Sequence, residues 1–201
     1  MHFNEFLVSA KKVKSLNLID KNVKFLWREN LYNKELETEI NSIVINDEYI
    51  KNISEPEKAA LGYAAVFIEN ECEWDGNMAE NRGNLKCKIL PALNLGYQCS
   101  NTHLEFLKRW FRNNETVLKE LERCPTKPDG ATEQNTFDEI NIDINENNIT
   151  VFFNGSGYNL RESETWNWTE KHYFEFKENE LILIKKNISP KEHHTFEVTE
   201  N

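Results

Sequence analysis

The densest patch of chemistry-bearing side chains is ENECEWDGN, residues 69 to 77, where Glu69, Glu71, Glu73 and Asp75 surround Trp74. Three kinds of chemistry use such a patch: a divalent cation, a general acid/base pair, or a docking surface for a basic partner. The spacing Glu71, Glu73, Asp75, Gly76 follows the first half of a calcium loop, whose ligands alternate before a glycine turn. It departs where that loop is strictest. Glu71 stands where Asp should begin, and Arg82 occupies the twelfth position, where a bidentate Glu closes the shell. A guanidinium there repels the ion, so no metal is expected. An acid/base pair needs two environments that drive its pKa values apart, and nothing in the sequence sets these carboxylates across a cleft. Recognition remains: Trp74 offers large contact area with little entropy to lose, framed by Glu71, Glu73 and Asp75.

A second group lies in NGSGYNLRESETWNWTE, residues 154 to 170. Gly155 and Gly157 give the bare form G-x-G, but no helix follows and the third glycine of a dinucleotide fingerprint is missing. The stretch reads as a wide hairpin loop that presents Tyr158, Arg161, Glu162 and Glu164 beside Trp166 and Trp168. Tyr158, Glu162 and Glu164 therefore join the expected partner-binding set.

Nucleophilic catalysis finds weaker material. Cys99 and His103 stand four apart at a helix start, without the third group that orients a catalytic base; a buried cysteine ahead of the first turn explains them equally well. His193 and His194 are neighbours and point in different directions, and His172 reads as a half-exposed sheet residue. No G-x-S-x-G elbow occurs. No catalytic residue and no cofactor is expected. Lys108, Arg109 and Arg112 interleave with Trp110 and Phe111, but helical spacing turns Leu104, Leu107 and Phe111 inward and leaves the cations as a solvated face.

The elements that must position these groups change character near residue 124. Before it, Leu36, Ile40, Ile43 and Val44 fall at helical spacing, and Ser54, Pro56 and Glu57 open a second, nearly all-apolar helix with a capping box. Gly62 and Ala64 leave room there for close packing. Residues 85 to 95 form a shorter helical piece, and SNTHLEFLKRWFRNNETVLKELERC makes one long helix or two short ones joined at Asn113 and Asn114. After it, FDEINIDI, ITVFF, TWNWTEKHYFEF and LILIKK alternate as strands separated by NENN and KENE turns. The expected architecture is a single α+β domain over 1–201: a helical N-terminal two-thirds (1–123), a connector (124–136), a four-stranded antiparallel meander (137–187), and a polar tail or edge strand (188–201).

With 34 acidic against 24 basic side chains, the net charge of −10 disfavours nucleic-acid binding, which needs clustered cations. The sequence opens without a signal-peptide pattern, and its longest apolar run, residues 59 to 68, is too short to span a bilayer. A cytoplasmic location is expected, with no membrane partner. Cys72, Cys87, Cys99 and Cys124 contain no close pair, so they read as reduced thiols. These readings converge on an acidic binding protein without catalysis, whose partner is a basic protein. An immunity protein that occludes a bacterial effector toxin fits, its charge speeding capture. Two other classes stay open: a small carboxylate-dependent hydrolase using Glu71, Glu73 or Glu164 near the tryptophans, and a general interaction or scaffold protein. Two carboxylates roughly 5–9.5 Å apart in a concave aromatic pocket would mark the hydrolase.

Overall fold

The structure, a computed structural model, describes residues 18–65, 86–124, 133–159 and 161–195. In chain order these form β1 (Lys21–Asn33), β2 (Thr38–Ile45), α1 (Asp47–Lys51), α2 (Glu55–Ala64), α3 (Lys86–Ala92), α4 (Asn101–Trp110), α5 (Glu115–Glu122), β3 (Glu133–Asn145), β4 (Asn148–Asn159), β5 (Glu164–Lys177), β6 (Glu180–Ile188) and β7 (Glu192–Thr195). Among the described residues the strands make one antiparallel seven-stranded sheet in the order β2-β1-β3-β4-β5-β6, with β7 continuing along the edge of β5.

This overturns the expected helical N-terminal two-thirds packed on a four-stranded meander. Residues 21–33 and 38–45 are strands, and the sheet forms the bulk of the described chain. The helical spacing of Leu36, Ile40, Ile43 and Val44 misled because the same segment, TEINSIVI, is rich in β-branched residues. Those lose rotamer freedom in a helix and fit a pleated surface. Pairing with β1, from Leu26↔Ile45 to Asn33↔Thr38, then decides the matter. The proposed connector is also shorter than expected, since β3 already begins at Glu133. The polar C-terminal stretch contributes an edge strand, β7, which pairs Glu164 to Asn167.

One face of the sheet packs on the helices. Its alternating residues, including Phe25, Leu26, Ile140, Ile142, Val151, Phe153 and Phe174, join Leu61, Tyr63, Leu107 and Phe111 in one core. α2 is buried along most of its length. It can lie close because Gly62 has no side chain: a β-carbon there would stand 2.6 Å from Leu95 Cδ1. α4 and α5 are two short helices, and Asn114 caps the second by accepting from the Val117 N–H at 3.2 Å.

Their ends return to one another. Cys99, just before α4, is disulfide-bonded to Cys124, just after α5, with Cα atoms 5.7 Å apart. The expectation of reduced thiols is therefore wrong for this pair. A spacing of 25 residues hides the contact, because the helical hairpin between them brings its two ends together. No helix among the described residues is long and apolar enough to cross a membrane.

The edge of β5 is served by two strands in tandem. β6 pairs up to Glu170↔Ile188, and β7 resumes at Asn167↔Glu192. Between them Ser189 supplies the missing rung alone: its N–H donates to Thr169 O and its hydroxyl accepts from the Thr169 N–H, both at 2.9 Å.

Candidate functional site

Glu71, Glu73, Trp74 and Asp75 lie outside the described residues. The three other expected partner-binding residues, Tyr158, Glu162 and Glu164, come together at the β4–β5 end of the sheet. Their setting is not a wide loop. The G-x-G segment belongs to β4, where Gly155 pairs with Trp168 and Gly157 with Trp166. A β-carbon on Gly155 would stand 2.5 Å from Trp168 Cζ2, and one on Gly157 would strike the Trp166 indole and the Asn135 amide oxygen. Each glycine is thus a bare stretch of backbone on which an indole lies. The connection itself is a tight turn, held by Asn159 Oδ1, which accepts from the N–H groups of Arg161 and Glu162 at 3.0 and 3.3 Å.

At this end Tyr158 is exposed on the face away from the tryptophans. Glu162 is exposed in the turn. Glu164 lies 2.7 Å from His193 Nδ1, and the His193 ring packs against Trp166 with centroids 5.8 Å apart. Lys191 sits over both Trp166 and Trp168. The antiparallel register places a second acidic group at the same end. β1 finishes and β2 begins where β3 starts and β4 finishes. The β1–β2 turn there carries Glu35 and Glu37, with Tyr32 and Leu36 exposed beside them. Sequence reasoning missed this group because it placed Leu36 on a helix face. The available signal was Asn33, a turn-forming side chain between two alternating runs.

Three carboxylates, Glu57, Glu120 and Glu180, tie helices to the sheet, and a fourth, Glu170, is used within β5. Glu57 in α2 accepts from Tyr49 Oη at 2.6 Å and Ser54 Oγ at 2.7 Å, and pairs with Lys21 of β1 at 2.9 Å. Ser54 therefore donates its hydroxyl to the carboxylate and does not cap the backbone as a capping box would. Burial, then the charge of Glu57, pushes the Tyr49 phenol far above its ordinary range, so it stays a donor. Glu120 of α5 accepts from the Tyr63 hydroxyl and pairs with Lys186 of β6 at 2.9 Å. Glu170 accepts from Trp168 Nε1 at 2.9 Å and meets His172 Nε2 at 2.7 Å. His172 is buried in this contact, which corrects its reading as half-exposed. The alternation Trp168, Glu170, His172 was the signal, since period two puts all three on one face. Glu180 ties the α4–α5 joint to β6 through Arg112 and Asn113.

Cys99 and His103 do approach one another, but not as nucleophile and base. The Cys99 sulfur is spent in the disulfide. His103 Nδ1 accepts from the Cys99 backbone N–H at 3.2 Å, which leaves Nε2 to carry the proton and donate to Gly62 O at 3.1 Å. Burial lowers the His103 pKa, opposed in part by that carbonyl, so the ring is a neutral staple.

Among the described residues no group of three or more His, Cys, Asp or Glu side chains is arranged to hold a metal ion. A depression of about 310 Å³ is lined by Asp138, Asn154, Asn167, Trp168, Thr169 and Glu192, among others. Asp138 within it is paired with Arg28 at 2.6 Å. No family model, curated protein or solved structure matches this chain.

Proposed function

We propose that this chain is a binding protein without catalysis that neutralises a basic partner, and that it acts as an immunity-type inhibitor of a bacterial effector toxin. One observation carries the reading: the strand register gathers exposed Tyr32, Leu36 and Tyr158 with Glu35, Glu37 and Glu162 at one end of the sheet. Aromatic and aliphatic anchors set among like charges suit a partner of opposite sign. The Cys99–Cys124 bond supports an oxidising compartment, in place of the cytoplasm expected from the sequence. The test is affinity capture of the tagged protein from a lysate of its own host, washed at low and high salt. A stoichiometric basic protein that survives high salt and loses its toxic activity on binding supports the reading. The absence of any specific partner refutes it.

A second reading, a carboxylate-dependent hydrolase, draws on the depression beside Trp168, where Asp138 and Glu192 supply two acids. Its acids differ from the expected Glu71, Glu73 and Glu164. Asp138 is held there by its ion pair to Arg28 at 2.6 Å, which leaves Glu192 as the acid to vary. A screen of chromogenic glycosides and esters with the Glu192→Gln variant as control decides it.

A further inference from the structure

We infer that the β1–β2 ribbon is the element that enters the partner, and that the partner is a basic protein offering a concave, cationic cleft; this rests on the inhibitor reading above. The ribbon is an arm. β1 pairs with β3 as far as Trp27↔Glu139, then runs on to Asn33 paired only with β2 among the described strands. β3, for its part, continues along β4 from Phe137↔Gly155 to Glu133↔Asn159. The sheet therefore forks, with the Arg28–Asp138 ion pair at the branch.

The tip is built to hold its shape. Residues 34–37 form the turn, and Asn33 Oδ1 accepts from the N–H groups of Glu35 and Leu36 at 2.9 and 3.1 Å. Glu37 takes a left-handed conformation, φ 50°, to close it. On this firm tip Leu31, Tyr32 and Leu36 expose 45, 63 and 65% of their surface. Three large apolar side chains on one narrow ribbon exceed the scattered single exposures normal for a surface.

Charge identifies the occupant. Residues 29–41 hold Glu29, Glu35, Glu37 and Glu39 against Lys34 alone, a net charge of −3. Glu35, Glu37 and Glu39 form no ion pair among the described residues, whereas Arg28 and Lys24 at the base of the arm are paired to Asp138 and Glu139. The base is neutralised and the tip is not. A narrow acidic ribbon with an apolar tip matches a cleft with a cationic rim and an apolar floor. A flat surface would leave one side of the ribbon in water. Preorganisation by Asn33 lowers the ordering cost of insertion.

The test uses the full chain carrying a benzoylphenylalanine photocrosslinker in place of Tyr32, with the same probe at exposed Ile184 on β6 as control. Irradiation in host lysate and mass spectrometry identify the adduct and the crosslinked peptide. The identified protein is then purified and its binding measured by interferometry. The expected result is an adduct from position 32 and not from 184, to a basic protein, at a peptide lining a Lys/Arg-rich cleft. Tyr32→Ala/Leu36→Ala should then weaken binding at least 100-fold with an unchanged Tm. Glu35→Lys/Glu37→Lys/Glu39→Lys should slow association at least tenfold at low salt, and less at high salt. A partner captured by wild type but bound equally by both arm variants overturns the arm while leaving the inhibitor reading intact. An adduct to a second copy of this chain, with a dimer in solution, overturns the cationic-cleft occupant. No partner in either experiment overturns both.

Discussion

Replacing Gly155 by alanine tests whether β4 is a platform for indoles. The added β-carbon would meet Trp168 Cζ2, Cη2 and Cε2 at 2.5, 2.6 and 2.8 Å, where ordinary contacts begin at 3.4 Å. Those three atoms belong to one rigid ring, so no single atom can give way and the indole must lift as a unit. Overpacking of this kind costs about 1–3 kcal/mol. Removing a strand glycine returns up to about 1 kcal/mol through the unfolded chain. The expected net loss is about 1 kcal/mol, a fall in Tm of roughly 2–4 °C for a chain of this size. Urea unfolding followed by far-UV circular dichroism measures it, in wild type and in a Trp168→Val background. With the ring gone the clash disappears, and alanine at 155 should be neutral or slightly stabilising. The coupling between the two sites should then reach about 2 kcal/mol. An equal cost for Gly155→Ala in both backgrounds would refute the platform, and would mean the glycine serves the backbone alone.

Three further outcomes follow from contacts elsewhere. Cys99→Ser/Cys124→Ser opens a 25-residue loop, and should lower the unfolding free energy by about 3.5 kcal/mol on loop entropy, read from the urea midpoint. His103 has its pKa lowered by burial. Its stabilising contribution is therefore complete above about pH 6.5, the ordinary value, and drains away as the pH falls towards the depressed folded value. The slope of Tm between pH 7.5 and 5 should be shallower in His103→Gln than in wild type. Glu57→Ala leaves Lys21, Tyr49 and Ser54 without their shared acceptor; it should cost about 3 kcal/mol in chemical denaturation, against about 1 kcal/mol for Tyr49→Phe.

The C-terminal strands were visible because Ile140, Ile142 and Ile144, and later Trp166, Trp168, Phe174 and Phe176, recur at even spacing on the buried face, with turns between the strands. The N-terminal hairpin was not, because Leu36, Ile40, Ile43 and Val44 satisfy a helical period by accident. What distinguishes the two states there is a long-range partner, β1, which local periodicity does not contain. The same limit explains Cys99 and Cys124, whose closeness depends on where the α4–α5 hairpin turns. Tyr158, Glu162 and Glu164 lie at one end of the sheet, as their nearness in sequence requires, though the loop expected around them is in part a strand with glycines under tryptophans. Glu35, Glu37 and Tyr32 escaped notice because charged and aromatic residues are ordinary on a helix and unusual only on the tip of an arm.

The single-residue splice at Ser189 gives the β5 edge a mechanical property. Because that one residue closes both bonds of Thr169, the rungs of β6 do not depend on those of β7. The last strand can peel from Glu164 to Asn167 like a latch, while the seam at Ser189 keeps the tear from running into β6. The amides of β7 should therefore exchange with solvent well ahead of those in β6, the boundary falling between Ser189 and Glu192. Opening the latch would carry His193 away from Trp166 and Glu164, uncovering an indole without disturbing the core beneath it.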